Sequence, residues 1–263
     1  MKKLFIFAAL ALLCAFTSCK KEQNQANRDT FTVGFDAEFP PYGFKDEKTG
    51  EYTGFDLELA AEVAKRNGWK LVKKPINWDS KDMELNSGSI DCIWNGFTIN
   101  GREKDYEWTE PYVDNSQVVM VKKESPVKTL ADLAGKVVAA QTDTPVLKAL
   151  QEGGDKADLG KTFKKIVISS NYISAIMELE SGAVDAVAVD IGVAKDKIAK
   201  TGDKFVILNE TIMSEMYGIG FKKGNTTLRD QVQSTLKSMV ADGSAAEISK
   251  KYFDGKDVLI IQP

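Results

Sequence analysis

Ile90-Asp-Cys-Ile-Trp-Asn-Gly-Phe-Thr-Ile-Asn-Gly-Arg102 reads as a short apolar strand, Ile90 to Trp94, that breaks at Asn95-Gly96 into a polar bend. A short apolar run bounded by turn residues is the pattern of a strand buried on both faces. What precedes it fixes its setting. Phe31, Val33 and Phe35 alternate as a strand. Phe55, Leu59, Ala60, Val63 and Ala64 recur at helical spacing, and Asn67-Gly68 closes that helix. Trp69 to Lys73 returns as a strand, and a helix near Ser80 to Asn86 ends at Ser87-Gly88. The strand Ile90 to Trp94 is therefore the third in a β-α-β-α-β series, the signature of a parallel sheet with helical crossovers.

The alternation restarts downstream. Val118 to Val121 leads into a second unit. Its predicted strands are Lys136 to Ala140, Phe163 to Ile168 and Val184 to Val189; its helices are Leu130 to Leu133, Pro145 to Leu150, Ile173 to Glu180 and Gly192 to Lys200. The chain closes with a strand, Tyr217 to Phe221. An amphipathic helix follows through Leu228, Val232, Leu236, Met239 and Val240, and then a last helix, Ala245 to Tyr252. The expectation is an α/β protein of two units. The pattern does not say which unit the final helices cover.

Composition narrows the chemistry. The 263 residues suit one large domain or two ordinary ones, and a net charge of -3 gives no sign of nucleic-acid binding. The chain has no histidine, which excludes imidazole-based acid/base catalysis, triads that need an imidazole, and the commonest metal ligand. No cofactor and no metal site are expected. Met1-Lys2-Lys3 followed by the apolar run Leu4 to Phe16 is a targeting signal, too short to span a bilayer comfortably. Thr17-Ser18-Cys19 resembles a bacterial lipoprotein processing site, with an ordinary secretory signal as the alternative. On that reading residues 1–18 are removed, Cys19 is lipidated, and polar residues 19–29 form a tether. Cys14 leaves with the signal. Cys92 then stands alone in an apolar strand as a small core residue, and an internal disulfide is not expected.

Ligands of open α/β sheets lie beyond the carboxyl ends of strands. Four such ends carry polar groups: Asp36 with Phe39-Pro40-Pro41-Tyr42; Asn95, Gly96, Thr98 and Arg102; Gln141-Thr142-Asp143-Thr144-Pro145; and Asp190. Glycine permits close approach to the main chain, and a guanidinium fork matches a carboxylate. Thr144 before Pro145 reads as a helix N-cap, whose free amides attract anions. Each residue also has an ordinary reading: Thr144 and Asp190 as helix caps, Asp36 as a turn residue, Phe39 as core. Together they offer donors for a carboxylate (Thr98, Arg102, Thr144) and acceptors for an ammonium (Asp190, Asp36). Those are the two ends of an α-amino acid, held between the two units.

Further blocks make a resemblance specific. Phe35-Asp-Ala-Glu-Phe-Pro-Pro-Tyr-Gly-Phe44, Tyr52-Thr-Gly-Phe-Asp-Leu-Glu-Leu-Ala60, Leu85 to Arg102 with Trp108-Thr-Glu-Pro-Tyr112, Leu130 to Val138, Leu179 to Ala186, and Tyr217-Gly-Ile-Gly-Phe-Lys-Lys-Gly224 resemble the family 3 bacterial extracellular solute-binding proteins, the amino-acid receptors of ABC importers. The resemblance spans nearly the whole mature chain. It implies a two-lobed periplasmic-binding-protein fold, each lobe a mostly parallel sheet flanked by helices. Residues 30–113 plus 215–263 would form one lobe and 114–214 the other, with hinges near Val113 to Ser116 and Ser214 to Tyr217.

By position in the family's motifs, Phe39 and Phe55 would sandwich the ligand side chain. Gly96 and Thr98 would bind its α-groups, and Arg102 and Thr144 its carboxylate. Asp190 would hold the ammonium; Asp36, Asn95 and Gln141 would line the side-chain pocket. The chain departs from the family in two places. Arg102 follows Thr98 by four residues rather than five, and Asp143 and Pro145 replace the usual Gly and Ser or Thr. The implied protein is a monomeric, lipid-anchored receptor. It would sit at the outer face of the cytoplasmic membrane or in the periplasm and pass a polar amino acid to an ABC permease. The alternatives are an enzyme of the same fold, of dehydratase type, with Glu38 or Asp36 as the acid, and a stand-alone sensor.

Overall fold

The computed structural model describes residues 28–263; the signal, Cys14, Cys19 and most of the tether lie outside the described residues. In chain order, β1 (Thr30–Phe35) is followed by three short strands, β2 (Glu38–Phe39), β3 (Gly43–Lys45) and β4 (Tyr52–Thr53), then α1 (Phe55–Arg66), β5 (Lys70–Pro75), α2 (Lys81–Ser87), β6 (Cys92–Thr98), β7 (Glu107–Trp108) and β8 (Val113–Lys122). The second half runs β9 (Val137–Gln141), α3 (Pro145–Leu150), α4 (Ala157–Thr162), β10 (Lys165–Ser169), α5 (Tyr172–Ser181), β11 (Ala186–Asp190), α6 (Ile191–Thr201), β12 (Phe205–Phe221), α7 (Thr226–Ala241) and α8 (Ser244–Tyr252). The molecule is a two-lobed α/β protein.

One sheet runs through both lobes, in the order β10-β9-β11-β8-β12-β6-β1-β5, with β7 also on β12. At one end β1 pairs in parallel with β5 and β6. At the other, β9 pairs in parallel with β10 and β11. The middle is antiparallel: β8 and β12 pair from Lys122↔Phe205 to Val113↔Tyr217. The two segments expected as hinges are partners here, with Asn115 opposite Glu215 and Ser116 opposite Ser214. No helix among the described residues is long and apolar enough to cross a membrane.

Two departures from the expected strands bear on the site. β12 begins at Phe205 rather than at Tyr217, because its outer part pairs with β8 and needs no continuous apolar pattern. The predicted break at Asn95-Gly96 is instead a bulge inside β6, between the pairs Gly220↔Ile93 and Gly218↔Phe97. A bulge turns the strand without ending it. Gly96 allows the turn. Its φ is 54°, and a Cβ there would lie 2.9 Å from Phe39 Cε1 and 3.0 Å from Tyr217 Cε2.

The closing helices find their surface on the first lobe. The buried face of α1 (Leu59, Ala60, Val63, Ala64) shares one core with Leu228, Val232, Leu236 and Met239 of α7 and with Ala245 of α8. Acidic Glu58 in the first turn of α1, and Lys65 and Arg66 in the last, complement the helix dipole. Phe55 is fully buried against Tyr42, Tyr112 and Phe253, with ring centroids 6.3, 6.3 and 5.1 Å away. Burying such a ring contributes about 1.5–3 kcal/mol.

Candidate functional site

A narrow cavity between the lobes is lined by Phe39, Trp78, Asn95, Gly96, Thr98, Arg102, Gln117, Gln141, Asp143, Thr144, Pro145 and Asp190. Every sequence-predicted site residue is on that wall except Phe55 and Asp36. The cavity measures about 20 Å³, room for roughly one water.

Phe55 is a correction. It begins α1 and points into the first lobe's core, so it takes no part in the cavity. The second aromatic on the wall is Trp78, on the 3-10 turn Trp78–Ser80 just past β5. Sequence reasoning followed four strand ends but not the end of the strand Trp69 to Lys73. The same rule, applied there, leads to Trp78. Gln117 was also missed; it lies inside antiparallel β8, where no strand-end rule reaches. Asp36 sits behind the wall. Its Oδ2 accepts Gln141 Nε2 at 2.9 Å, from the other lobe, and its Oδ1 accepts Glu38 N at 2.8 Å. Burial raises the Asp36 carboxyl above its ordinary value, against those two hydrogen bonds.

The first wall is held from within. Asp56 on α1 accepts Gly96 N at 2.6 Å and the Tyr112 hydroxyl at 2.8 Å. The Gly96 N–H is thereby engaged within the protein. Burial pushes the Asp56 carboxyl up to about 7, although both hydrogen bonds pull it down. Asn95 is 2 % exposed and Gln117 1 %; Asn95 Oδ1 and Gln117 Oε1 have no hydrogen-bond partner among the described residues. A buried acceptor without a donor costs about 1–3 kcal/mol. Both side chains can accept from a polar ligand.

Arg102 is on the wall despite its shorter spacing from Thr98. Its guanidinium lies over the Phe97 ring, 5.1 Å from the centroid, and donates to Asp143 O at 2.6 Å. Asp143 comes from the opposite lobe and has a φ of 49°, a conformation natural to glycine. The backbone keeps the shape a glycine would give, and the side chain adds a carboxylate. That carboxylate pairs with Lys81, which is almost fully buried, and lies 3.7 Å from Arg102 Nη2. Thr142 Oγ1 to Asp79 Oδ1, at 3.1 Å, extends the bridge. A closer approach occurs at Gly192 near the start of α6. A Cβ there would lie 2.5 Å from the Tyr42 hydroxyl, so only glycine lets the lobes meet.

Thr144 caps α3: its Oγ1 accepts Leu147 N at 3.3 Å and donates to Gln141 O at 2.8 Å, with Pro145 at the first turn. Asp190 ends β11 and stands before α6 without capping it. Its Oδ1 accepts Asn115 Nδ2 at 2.8 Å and the Tyr217 hydroxyl. The cavity wall thus holds a guanidinium, two threonine hydroxyls, a carboxylate and two aromatic rings. Such a set is able to hold a carboxylate and an ammonium at once. Glu38, by contrast, is exposed.

The model of the bacterial extracellular solute-binding proteins, family 3, matches residues 31–255. The chain is 32% identical to the L-cystine-binding protein TcyJ of Escherichia coli (strain K12) over 234 residues, 88% of this chain and 85% of that one. It is 30% identical to the L-cystine-binding protein TcyA of Bacillus subtilis (strain 168) over 269 residues, 97% of each. An ABC uptake transporter substrate binding protein from Streptococcus pneumoniae, solved with bound histidine, superposes with a TM-score of 0.83 at 29% identity, covering 88% of this chain and 95% of that one.

Proposed function

The chain belongs to the bacterial extracellular solute-binding proteins, family 3, and from that premise we propose that it captures a free polar amino acid between its lobes and delivers it to an ABC importer. The observation that carries this reading is the chemistry of the cavity wall, where Arg102, Thr98, Thr144 and Asp190 line one space together with Phe39 and Trp78. The ligand's carboxylate meets the donors and its ammonium meets Asp190. Its side chain lies between the two rings, toward Asn95, Gln117 and Gln141. A polar side chain is supported by those amides and by relatives named for cystine. Micromolar capture needs about 8 kcal/mol, within reach of one enclosed zwitterion with both charges matched.

The lobes comprise residues 30–113 plus 215–263 and residues 114–214. They open by bending where β8 and β12 cross between them, near Val113 to Ser116 and Ser214 to Tyr217. The mature protein is anchored through lipid on Cys19 at the outer face of the cytoplasmic membrane, or stands in the periplasm, and acts as a monomer without catalysis. Exposed Glu38 is poorly placed as an acid for the enzymatic alternative. A thermal-shift screen with the twenty amino acids and cystine, on protein refolded to remove carried-over ligand, tests the reading. One or a few polar amino acids should raise Tm by several degrees. No shift with any of them rejects the site; turnover of an amino acid or a precursor rejects the receptor.

A further inference from the structure

Behind the cavity lies a second carboxyl that the proposed ligand contacts do not use. Glu215 stands on β12 opposite Asn115 of β8 and is 1 % exposed. Its Oε1 accepts Asn115 Nδ2 and Gln117 Nε2, each at 2.7 Å. The same Asn115 nitrogen donates to Asp190 Oδ1 at 2.8 Å. One amide therefore bridges two buried carboxyls, of which Asp190 lines the cavity and Glu215 does not. The donors that reach them are amides and the Tyr217 hydroxyl, not cations. The other titratable groups in their field are the hydroxyls of Tyr42, before β3, and Tyr172, on α5, both buried and neutral.

Two adjacent carboxylates in a dry site without a cation cannot both ionise cheaply. Their hydrogen bonds indicate which one keeps a proton. Asp190 Oδ1 and Glu215 Oε1 take two donors each, but Glu215 Oε2 is buried and has none among the described residues. A proton on Oε2 removes that unpaired acceptor and turns it into a donor toward Asp190. We propose that Asp190 and Glu215 share one proton, carried on Glu215, and that the ligand's ammonium takes its place, so that amino-acid capture releases a proton to solvent. The inference rests on the proposed meeting of the ammonium with Asp190. The ammonium keeps its three hydrogens, and the proton from Glu215 passes to water or a buffer base. The cluster carries one net negative charge before binding, and carboxylate, carboxylate and ammonium carry one after it. Burial first, and then the charge of Asp190, push the Glu215 carboxyl up to about 8, so it is protonated at neutral pH. Glu215 acts through Asp190 and Asn115 and is a positioning residue.

Isothermal titration at pH 7 in phosphate and in Tris, which differ in ionisation heat, counts the protons. The titrant is the amino acid that gives the largest thermal shift. Wild type should release up to one proton per amino acid bound, and Glu215→Gln none. Between pH 6 and pH 8 the wild-type Kd should fall several-fold, at most about tenfold per unit, while the Gln variant stays flat. Equal heats in both buffers overturn the proposal. So does release that persists in Glu215→Gln, which would assign the proton to Asp56 or Asp36. Should that variant not fold, carbon-13 NMR of carboxyl-labelled glutamate in wild type decides. One signal titrating near 8 that moves to lower pH with ligand supports the proposal, and its absence overturns it. Heat without proton release defeats this inference alone; no heat with any amino acid defeats the receptor reading with it.

Discussion

The two walls of the cavity are built by different means. One comes from β6 and its surroundings: Asn95 to Thr98 on a bulged strand, Phe39 and Trp78 above, and Arg102 beyond. It is fixed by packing, where Asp56 holds Gly96, Phe39 joins the large core and Trp78 joins the smaller cluster with Ile93 and Phe97. The other comes from residues between a strand end and a helix start, Gln141 to Pro145 and Asp190. Its bonds reach outward, from Gln141 to Asp36 and from Asp143 to Lys81 and Arg102. Affinity for an aromatic-covered ligand should therefore be limited by how well the first wall is packed. Capture and release should be limited by how firmly the second wall grips across the gap.

The sharpest break of this comparison separates two aromatics. Phe55→Ala should cost about 3–5 kcal/mol of stability in denaturant melts, yet leave the folded fraction binding within about twofold. Trp78→Ala should weaken binding about tenfold or more in calorimetry, from lost aromatic cover. The reverse pattern would return Phe55 to the ligand. Next is pH. Asp56 and Glu215 have folded values of about 7 and 8 against ordinary values of 3.8 and 4.5, so the folded chain holds protons that the unfolded chain releases. That stability is complete below about pH 4 and is lost as pH rises through 7 to 8. Tm should fall by roughly 5–10 °C between pH 5 and pH 8, and Asp56→Asn should flatten the slope. A Tm that rises over this range would mean the first wall is not pinned by a buried acid.

Arg102→Ala should raise the amino-acid Kd about 10–100-fold, the size of a lost charged hydrogen bond of ~1.5–3 kcal/mol. An unchanged Kd would place the carboxylate elsewhere. The smallest effect belongs to the bridge. Asp143→Gly keeps the backbone shape at φ 49° and removes the carboxylate. Stopped-flow release should quicken a few-fold, and because Lys81 is buried its lost partner should also lower Tm measurably.

The α/β alternation was legible because buried parallel strands and amphipathic helices write different periods. α3, read as Pro145 to Leu150, forms over those residues, since Thr144 and Pro145 mark its start chemically. β12 was not legible over Phe205 to Met216, where half-buried residues pair with β8 and carry no clean alternation. The bulge at Gly96 read as a break because glycine signals both, and only the pairing partner distinguishes them. Asp36 and Gln141 were named separately, but their hydrogen bond spans 105 positions and has no local trace. Glu215 passed unnoticed because a carboxyl in an ordinary polar stretch reads as solvated; the facing strand buries it.

The path of the chain through the sheet has a consequence for biosynthesis. α1 is made early, but the surface that covers it, α7 and α8, is made last. β6 likewise waits for the end of β12. A chain that emerges N-terminus first on the far side of the membrane carries an uncovered apolar helix face while β8 to β11 and their helices are already present. The inserted lobe can therefore assemble while the first lobe is still half made, a window in which α1 is open to aggregation or to a chaperone.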